Sequence, residues 1–291
     1  MKYDLHCHST CSDGTYAPDE LVKLAKNRGI DVLALTDHDT ISGLQMAKQT
    51  AESIGLTFIF GVEISCVYTL TGSHDRDKQR NKIIHVVGLN FTDIDAMQQQ
   101  LQFIQDSRAN RGLAMVNKLA DILHIDADAL WQQVLIKASG DAKAVGRSHI
   151  AQVLHQNGYV PTVQSAFSKY LADNKPAYVK LDALSLQDGV ALIHRCGGKA
   201  ILAHPTRYDL SATCIRRLMA DFAEYGGDAC ELPAIDEPLS KRKMIDRVIQ
   251  QHDLQVSVGS DFHGTSMPWR ALGDVAELNA TQVGVWHDWH I

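Results

Sequence analysis

Short apolar runs punctuate this chain, and nearly every one ends in or carries a side chain that binds metal ions. The first run, 2–5, leads into Asp4-Leu5-His6-Cys7-His8; the second, 31–36, into Thr36-Asp37-His38-Asp39; the third, 57–65, contains Gly61-Val62-Glu63. The run 83–89 contains His85, 199–203 is followed by His204-Pro205, 228–233 carries Glu231, and 255–260 leads into Gly259-Ser260-Asp261-Phe262-His263. Helical periodicity fills the gaps. Pro18 and Asp19-Glu20 suit the first turn of a helix over 18–28 that stops at Gly29. Ser42 as N-cap and Gly55 as C′ residue frame another over 42–54, and further helices are expected over 187–196, 212–225 and 238–252. Through residues 1–65 this alternation predicts βα units and a parallel sheet.

From about 94 to 182 the rhythm changes. Leu101, Ile104, Leu113, Val116, Leu119, Ile122 and Leu123 recur at helical spacing with no strand signal between them, which predicts a helical insertion. The expected division is therefore an α/β barrel over 1–93 and 183–291, interrupted by a helical unit over 94–182. No repeat or Gly/Ser linker separates the two, so they are expected to share an interface.

In a β/α barrel the C-terminal ends of the strands converge on one mouth. Side chains at i and i+2 of a strand lie on the same side, so His6 with His8, and Asp261 with His263, can each aim two ligands into one cavity. Imidazole and carboxylate without thiolate suit zinc, iron or manganese in an open hydrolytic site, with manganese favoured as carboxylates accumulate.

Composition narrows the classes. With 291 residues, 45% hydrophobic, the chain can bury a full core, and no apolar run approaches the ~18 residues that span a bilayer. The first 25 residues contain no apolar signal-peptide core, and the six cysteines form no C-x-x-C pair, so reduced thiols in a cytoplasmic protein are expected. A net charge of −6 argues against a surface that coats nucleic acid. An anionic substrate would be met by bound metal and a few local arginines.

Asp4-Leu5-His6-Cys7-His8-Ser9 with Ser12-Asp13-Gly14, Leu35-Thr36-Asp37-His38-Asp39, Gly61-Val62-Glu63-Ile64-Ser65, His204-Pro205 and Gly259-Ser260-Asp261-Phe262-His263 resemble the PHP (polymerase and histidinol phosphatase) family. Within it the chain looks most like the bacterial nucleotide 3′,5′-bisphosphate phosphatases that also act as 5′-to-3′ exoribonucleases of the ribonuclease AM type. Ile84-His85-Val86-Val87-Gly88-Leu89, Arg147-Ser148-His149, and the stretch from Lys169-Tyr170-Leu171 to Lys175-Pro176-Ala177-Tyr178-Val179 carry that narrower likeness.

The resemblance implies a distorted (β/α)7 barrel with a helical insertion and up to three divalent ions, commonly manganese, with zinc or iron as alternatives. By motif, His6, His8, Glu63 and Asp261 would hold one ion, and Glu63 would bridge to a second held by His85 and His204. Asp13, His38 and His263 would hold the third, and Asp13, His38, Glu63 and His263 are read as the catalytic members. Ions held so close supply the attacking water and neutralise phosphoryl charge, so no side-chain nucleophile is required. The implied activity removes the 3′-phosphate of nucleoside 3′,5′-bisphosphates and trims 5′-phosphorylated RNA. The expected partners are a small nucleotide or an RNA 5′ end, with no membrane and no obligate protein partner. A histidinol-phosphate phosphatase and a non-catalytic, metal-stabilised binding module stand as alternatives.

A second phosphate needs an anchor of its own, and arginine offers paired donors in a fixed fork. The candidates are Arg147 with His149, Arg207, and Arg108 and Arg111, which could equally form a solvated helix face. The chain departs from the family pattern at Thr206, at Glu231-Leu232-Pro233, and in the charged run 74–82, read as a solvated hairpin turn. That run makes His74 a rival to His85 as ligand. His85 is preferred because it lies inside an apolar strand.

Overall fold

The computed structural model describes residues 1–70, 80–267 and 269–289. Among the described residues eight strands form one sheet: β1 (Tyr3–Asp4), β2 (Val32–Leu35), β3 (Thr57–Leu70), β4 (Arg80–Leu89), β5 (Leu184–Ser185), β6 (Lys199–Leu202), β7 (Ala229–Glu231) and β8 (Gln255–Ser257). Their order is β1-β2-β3-β4-β6-β7-β8, with β5 added to the far end of β3. The sheet curls until its ends meet. Leu5 N–H donates to the Val258 carbonyl at 2.9 Å, Asp261 N–H to His6 at 2.8 Å and His8 N–H to Phe262 at 2.9 Å. The result is the distorted α/β barrel that the alternation predicts, with the segments after β1 and β8 lying side by side.

Neighbouring strands are parallel except at β4, which runs antiparallel to both β3 and β6. The parallel sheet expected through residues 1–65 is present in β1–β3, and β3, at 14 residues, runs past the apolar run 57–65 to pair antiparallel with β4 from Gly61 to Leu70. Glu63 consequently lies inside β3 rather than at its end, and His85 inside β4, opposite Ser65.

Helix α1 (Pro18–Asn27) starts as expected, with Pro18 in its first turn and the Glu20 carboxylate accepting from Ala17 N–H at 3.0 Å. Helix α2 (Leu44–Ile54) ends on Gly55 at φ 64°, but Ser42 does not cap it. Gly43 holds the cap position, and the Ser42 hydroxyl accepts from Thr40 instead.

The insertion is built on α3 (Ile94–Leu123), whose 30 residues make a rod about 45 Å long. Met97, Leu101 and Ile104 at its start pack in the main barrel core. Met115, Val116 and Leu119 further along belong to a second core, shared with α4 (Ala127–Lys137), α5 (Arg147–Gln156) and the short α6 (Val163–Ala166). One rigid helix therefore serves both cores, and this ties the insertion to the barrel. The chain then returns through α7 (Leu186–Arg195), α8 (Ala212–Glu224) and α9 (Leu239–Gln251), all packed outside the sheet in the main core. Among the described residues no helix is long and apolar enough to cross a membrane.

Where the barrel closes, the backbone at Gly259 passes so near His6 that a Cβ there would collide with the His6 Cβ and crowd its backbone. Gly259→Ala is expected to cost about 1–3 kcal/mol through overpacking. It should lower the thermal midpoint and loosen ion binding at His6; a wild-type melting curve would contradict this.

Candidate metal centre

Glu63 is the centre of the site. Its carboxylate is fully buried, and imidazole nitrogens of five histidines surround it: His38 at 2.7 Å, His204 at 2.9 Å, His85 at 3.0 Å, His6 at 3.3 Å and His8 at 3.4 Å. His204, His85 and His6 approach Oε1, and His38 and His8 approach Oε2. Asp261 Oδ1 lies 3.1 Å from His8 Nε2, and Asp13 Oδ1 lies 3.2 Å from His263 Nε2.

The fit to cations can be judged from the donors themselves. Glu63 Oε2 and His38 Nδ1 stand 2.7 Å apart without the alignment of a hydrogen bond, and both, with His85 Nδ1, are buried without a hydrogen-bond partner. Orphaned donors and acceptors are rare in folded proteins and call for an explanation. Four overlapping groups bring their donor atoms within 4.8 Å of one another: His8-Asp13-His38-His263, His6-His8-Asp261, His6-Glu63-His204 and His38-Glu63-His85. Together they contain all nine side chains expected as ligands. Nitrogen and oxygen donors crowded this way fit divalent cations well. His74 lies outside the described residues, as does most of the charged run 74–82.

Several elements hold these donors. His204 at φ 28° and Asp261 at φ 50° take backbone conformations that side chains rarely adopt, each just past a strand end. Such outliers persist where surrounding structure over-determines them, and they cluster at functional sites. Tyr208 accepts from His85 N–H at 2.8 Å and donates to the Ala203 carbonyl at 3.1 Å, so one phenol spaces His85 against His204.

Carboxylates behind the donors complete the frame. His6 Nδ1 lies 2.6 Å from Glu231 Oε2, which directs Nε2 toward the cluster. Asp37 accepts from Ser9 N–H, Ser9 Oγ and Ser12 Oγ, shaping the loop that carries Asp13. Asp4 accepts from Ser260 and Gly273 N–H groups beside Asp261. Asp39, at φ 53°, accepts from Ser65 N–H and Oγ and from Arg108 Nε at 2.5 Å. The sequence counts Glu231 among the strand-borne donors but does not reveal its place behind His6, and it gives no sign of Tyr208, because their partners are distant in sequence. The signal available was that Glu231 sits on a strand at the same mouth.

The charges interlock. Burial alone would raise the Glu63 carboxyl, yet His85, His38 and His6 hold it well below the usual range. Burial, together with His263 and His38, pushes His8 down to about 3. His263 goes the other way: against its burial, Asp13 and Asp261 raise it to about 10.

The arginine candidates separate. A cleft of about 220 Å³ is lined by Asp13, His38, His85, His204, Asp261 and His263 together with Arg108, Arg111 and Arg147. Arg108 is buried on Asp39 and Ser65, so it is not a solvated helix face. Arg111 Nε donates to the Val179 carbonyl at 2.9 Å, and Arg147 stands 3.6 Å from Asp173. Arg207 and His149 do not line this cleft. Arg207 pairs with Asp261, and buried His149 accepts from Gly146 N–H through Nδ1 at 3.1 Å.

The PHP domain family model matches residues 4–181. A 5′-3′ exoribonuclease of Haemophilus influenzae is 39% identical over 98% of this chain and 98% of its own length. A 3′,5′-nucleoside bisphosphate phosphatase of Chromobacterium violaceum is 33% identical over 98% of this chain and 95% of its own. Among solved structures, an amidohydrolase from Chromobacterium violaceum with bound sulfate and no metal superposes with a TM-score of 0.86 at 32% identity, covering 98% of this chain and 95% of that one.

Two outcomes are expected of the ion-binding cluster. Glu231→Gln weakens the hold on His6 and should lower ion affinity by about 10–100-fold, read by competition with a chelating dye. Ion binding also needs unprotonated imidazole, so it displaces the proton from His263, and affinity should climb as pH rises toward about 10. Calorimetry in buffers of different ionisation enthalpy measures that release; none would contradict the charge arrangement.

Proposed function

The chain belongs to the PHP domain family, and from that premise we propose that it is a metal-dependent phosphoesterase acting on nucleotides. It removes the 3′-phosphate of nucleoside 3′,5′-bisphosphates and trims 5′-phosphorylated RNA from the 5′ end. One observation carries this reading: a single cleft joins the ion-binding side chains to three arginines of the insertion. Two anion-binding places in one cavity suit a substrate with two phosphates. The two relatives named for exoribonuclease and bisphosphate phosphatase activity support the same reading over nearly their whole length.

We assign His6, His8, Glu63 and Asp261 to one ion, His85 and His204 with Glu63 to a second, and Asp13, His38 and His263 to a third. Manganese suits this mixture of imidazole and carboxylate. Bound divalent ions supply Lewis acidity that activates water and neutralises phosphoryl charge. The side chains do the rest. Arg207 holds Asp261 in place, and Glu231 keeps the His6 ring turned toward the site.

Arg111 and Arg147 are the anchors assigned to the second phosphate. Burial, then the neighbouring Arg147 and Arg108, pushes the Arg111 guanidinium down to about 9. Like charges crowded out of water attract a dianion strongly. The same arginines repel a cationic monoester, so histidinol phosphate is not favoured as substrate. We further assign 94–182 to an insertion that contributes to the substrate site, with a core of its own, and 1–93 with 183–291 to the ion-binding barrel. A cytoplasmic setting suits the six free cysteines.

Arg147→Ala and Arg111→Ala should each raise KM for 3′,5′-bisphosphoadenosine by about 10–100-fold, the worth of a charge-assisted hydrogen bond. Ion content should stay near wild type, and hydrolysis of a nucleoside 3′-monophosphate should lose less. Manganese-loaded protein that released no phosphate from 3′,5′-bisphosphoadenosine, yet cleaved another phosphoester well, would overturn the assignment.

A further inference from the structure

The arginines and ion-binding residues of the cleft read phosphate, and none of them distinguishes a nucleotide from any other bisphosphate. One part of the wall differs in character. Ile83, Phe167 and Leu181 line it beside Arg111 and Arg147, and Phe167 is the one phenyl ring among the described lining residues.

Phe167 opens the π-helical turn Phe167–Leu171, which continues directly from α6. A π turn changes the helical register and re-aims side chains, and such turns concentrate at functional sites. Here Tyr170 and Leu171 bury in the insertion's core, while Phe167 stays half-buried against it with its ring in the cleft wall. The Arg147 guanidinium lies over the ring, 6.0 Å from its centroid and at the outer limit of cation–π contact, so the ring and the guanidinium stand side by side in the cleft wall.

We infer that Phe167 is the platform on which the substrate's base stacks while Arg111 and Arg147 hold the adjoining phosphate; the inference rests on the proposed nucleotide activity. Every base has a π-face, so stacking tolerates any sequence. Ile83 and Leu181, which line the same cleft, offer no hydrogen-bonding side chains to read base edges. A site built this way accepts successive nucleotides of an RNA without preference, as repeated removal from one end requires. Phe167 is thus a specificity-determining residue: it selects nucleotides over base-free phosphates.

The test titrates adenosine 5′-monophosphate and ribose 5-phosphate into the manganese-loaded full chain. Wild type should bind the nucleotide about tenfold tighter or more, a preference of the size that base stacking supplies. Phe167→Leu keeps apolar packing and should abolish the preference, and Phe167→Trp should retain it. Guanosine, cytidine and uridine monophosphates should bind within a few-fold of one another. A wild type without preference, a Phe167→Leu protein that keeps it, or one that weakens on both ligands alike would overturn the platform. Phosphate release from 3′,5′-bisphosphoadenosine is followed on the same wild-type sample. Its absence beside an intact preference overturns the proposed activity and leaves the platform standing; its presence without the preference overturns the platform alone.

Discussion

A carboxylate with no exposed surface, surrounded by five imidazoles within 3.4 Å, sets the terms for the rest of this molecule. An ionised carboxylate taken from water without compensation costs many kcal/mol, so Glu63 is tolerable only where positive charge is gathered around it. The fold supplies that gathering from distant places. His6 and His8 arrive because the sheet closes on itself, and His38 arrives from the turn after β2. His85 arrives because β4 doubles back along an overlong β3, and His204 from a strained residue beyond β6. Crowded imidazoles would in turn repel one another if all were protonated, which is why His8 is driven down while His263 is driven up.

The second constraint is the link between barrel and insertion. Asp39 accepts from Arg108 and Ser65 and its carbonyl accepts from Gln105, so the turn that carries His38 is bonded directly to α3. The long α3 rod then passes from one hydrophobic core into the other. The candidate ion-binding side chains and the cleft arginines Arg108 and Arg111 are therefore held on a common frame rather than on independent bodies. A substrate with two phosphates at fixed spacing needs that rigidity, because a misplaced anchor loses the binding energy that aligns the reacting group.

Much of this was legible in the residues. The i, i+2 pairs His6/His8 and Asp261/His263 follow from strand alternation; His6 and His8 share one group of donors, and Asp261 and His263 fall into two groups joined by His8. Gly55 in the left-handed region and the helical run after 94 follow equally from local rules. Other features were not. Arg207 adjoins the His204-Pro205 motif and pairs with Asp261, and His149 turns back onto its own helix start; neither contact follows from local spacing. Arg108 looks like a surface residue until the Asp39 turn is packed against it. The extension of β3 to Leu70, past the apolar run 57–65, depends on its pairing with β4, which apolar alternation does not encode.

The amino-acid sequence by itself determined the inventory: which donors exist, that they sit on or just beyond strands, and that the middle of the chain is helical. Those properties are local, because φ/ψ preferences and side-chain periodicity extend over a few residues. Tertiary structure alone decided which donors meet. The contacts of Glu63 with His204 and of His6 with Glu231 join residues 141 and 225 positions apart, and only ring closure and strand packing bring them together. It also decided the roles of residues with ambiguous chemistry. An arginine becomes a buried brace, a carboxylate partner or a phosphate anchor according to what lies within 3 or 4 Å of it, and that distance is a property of the assembled core.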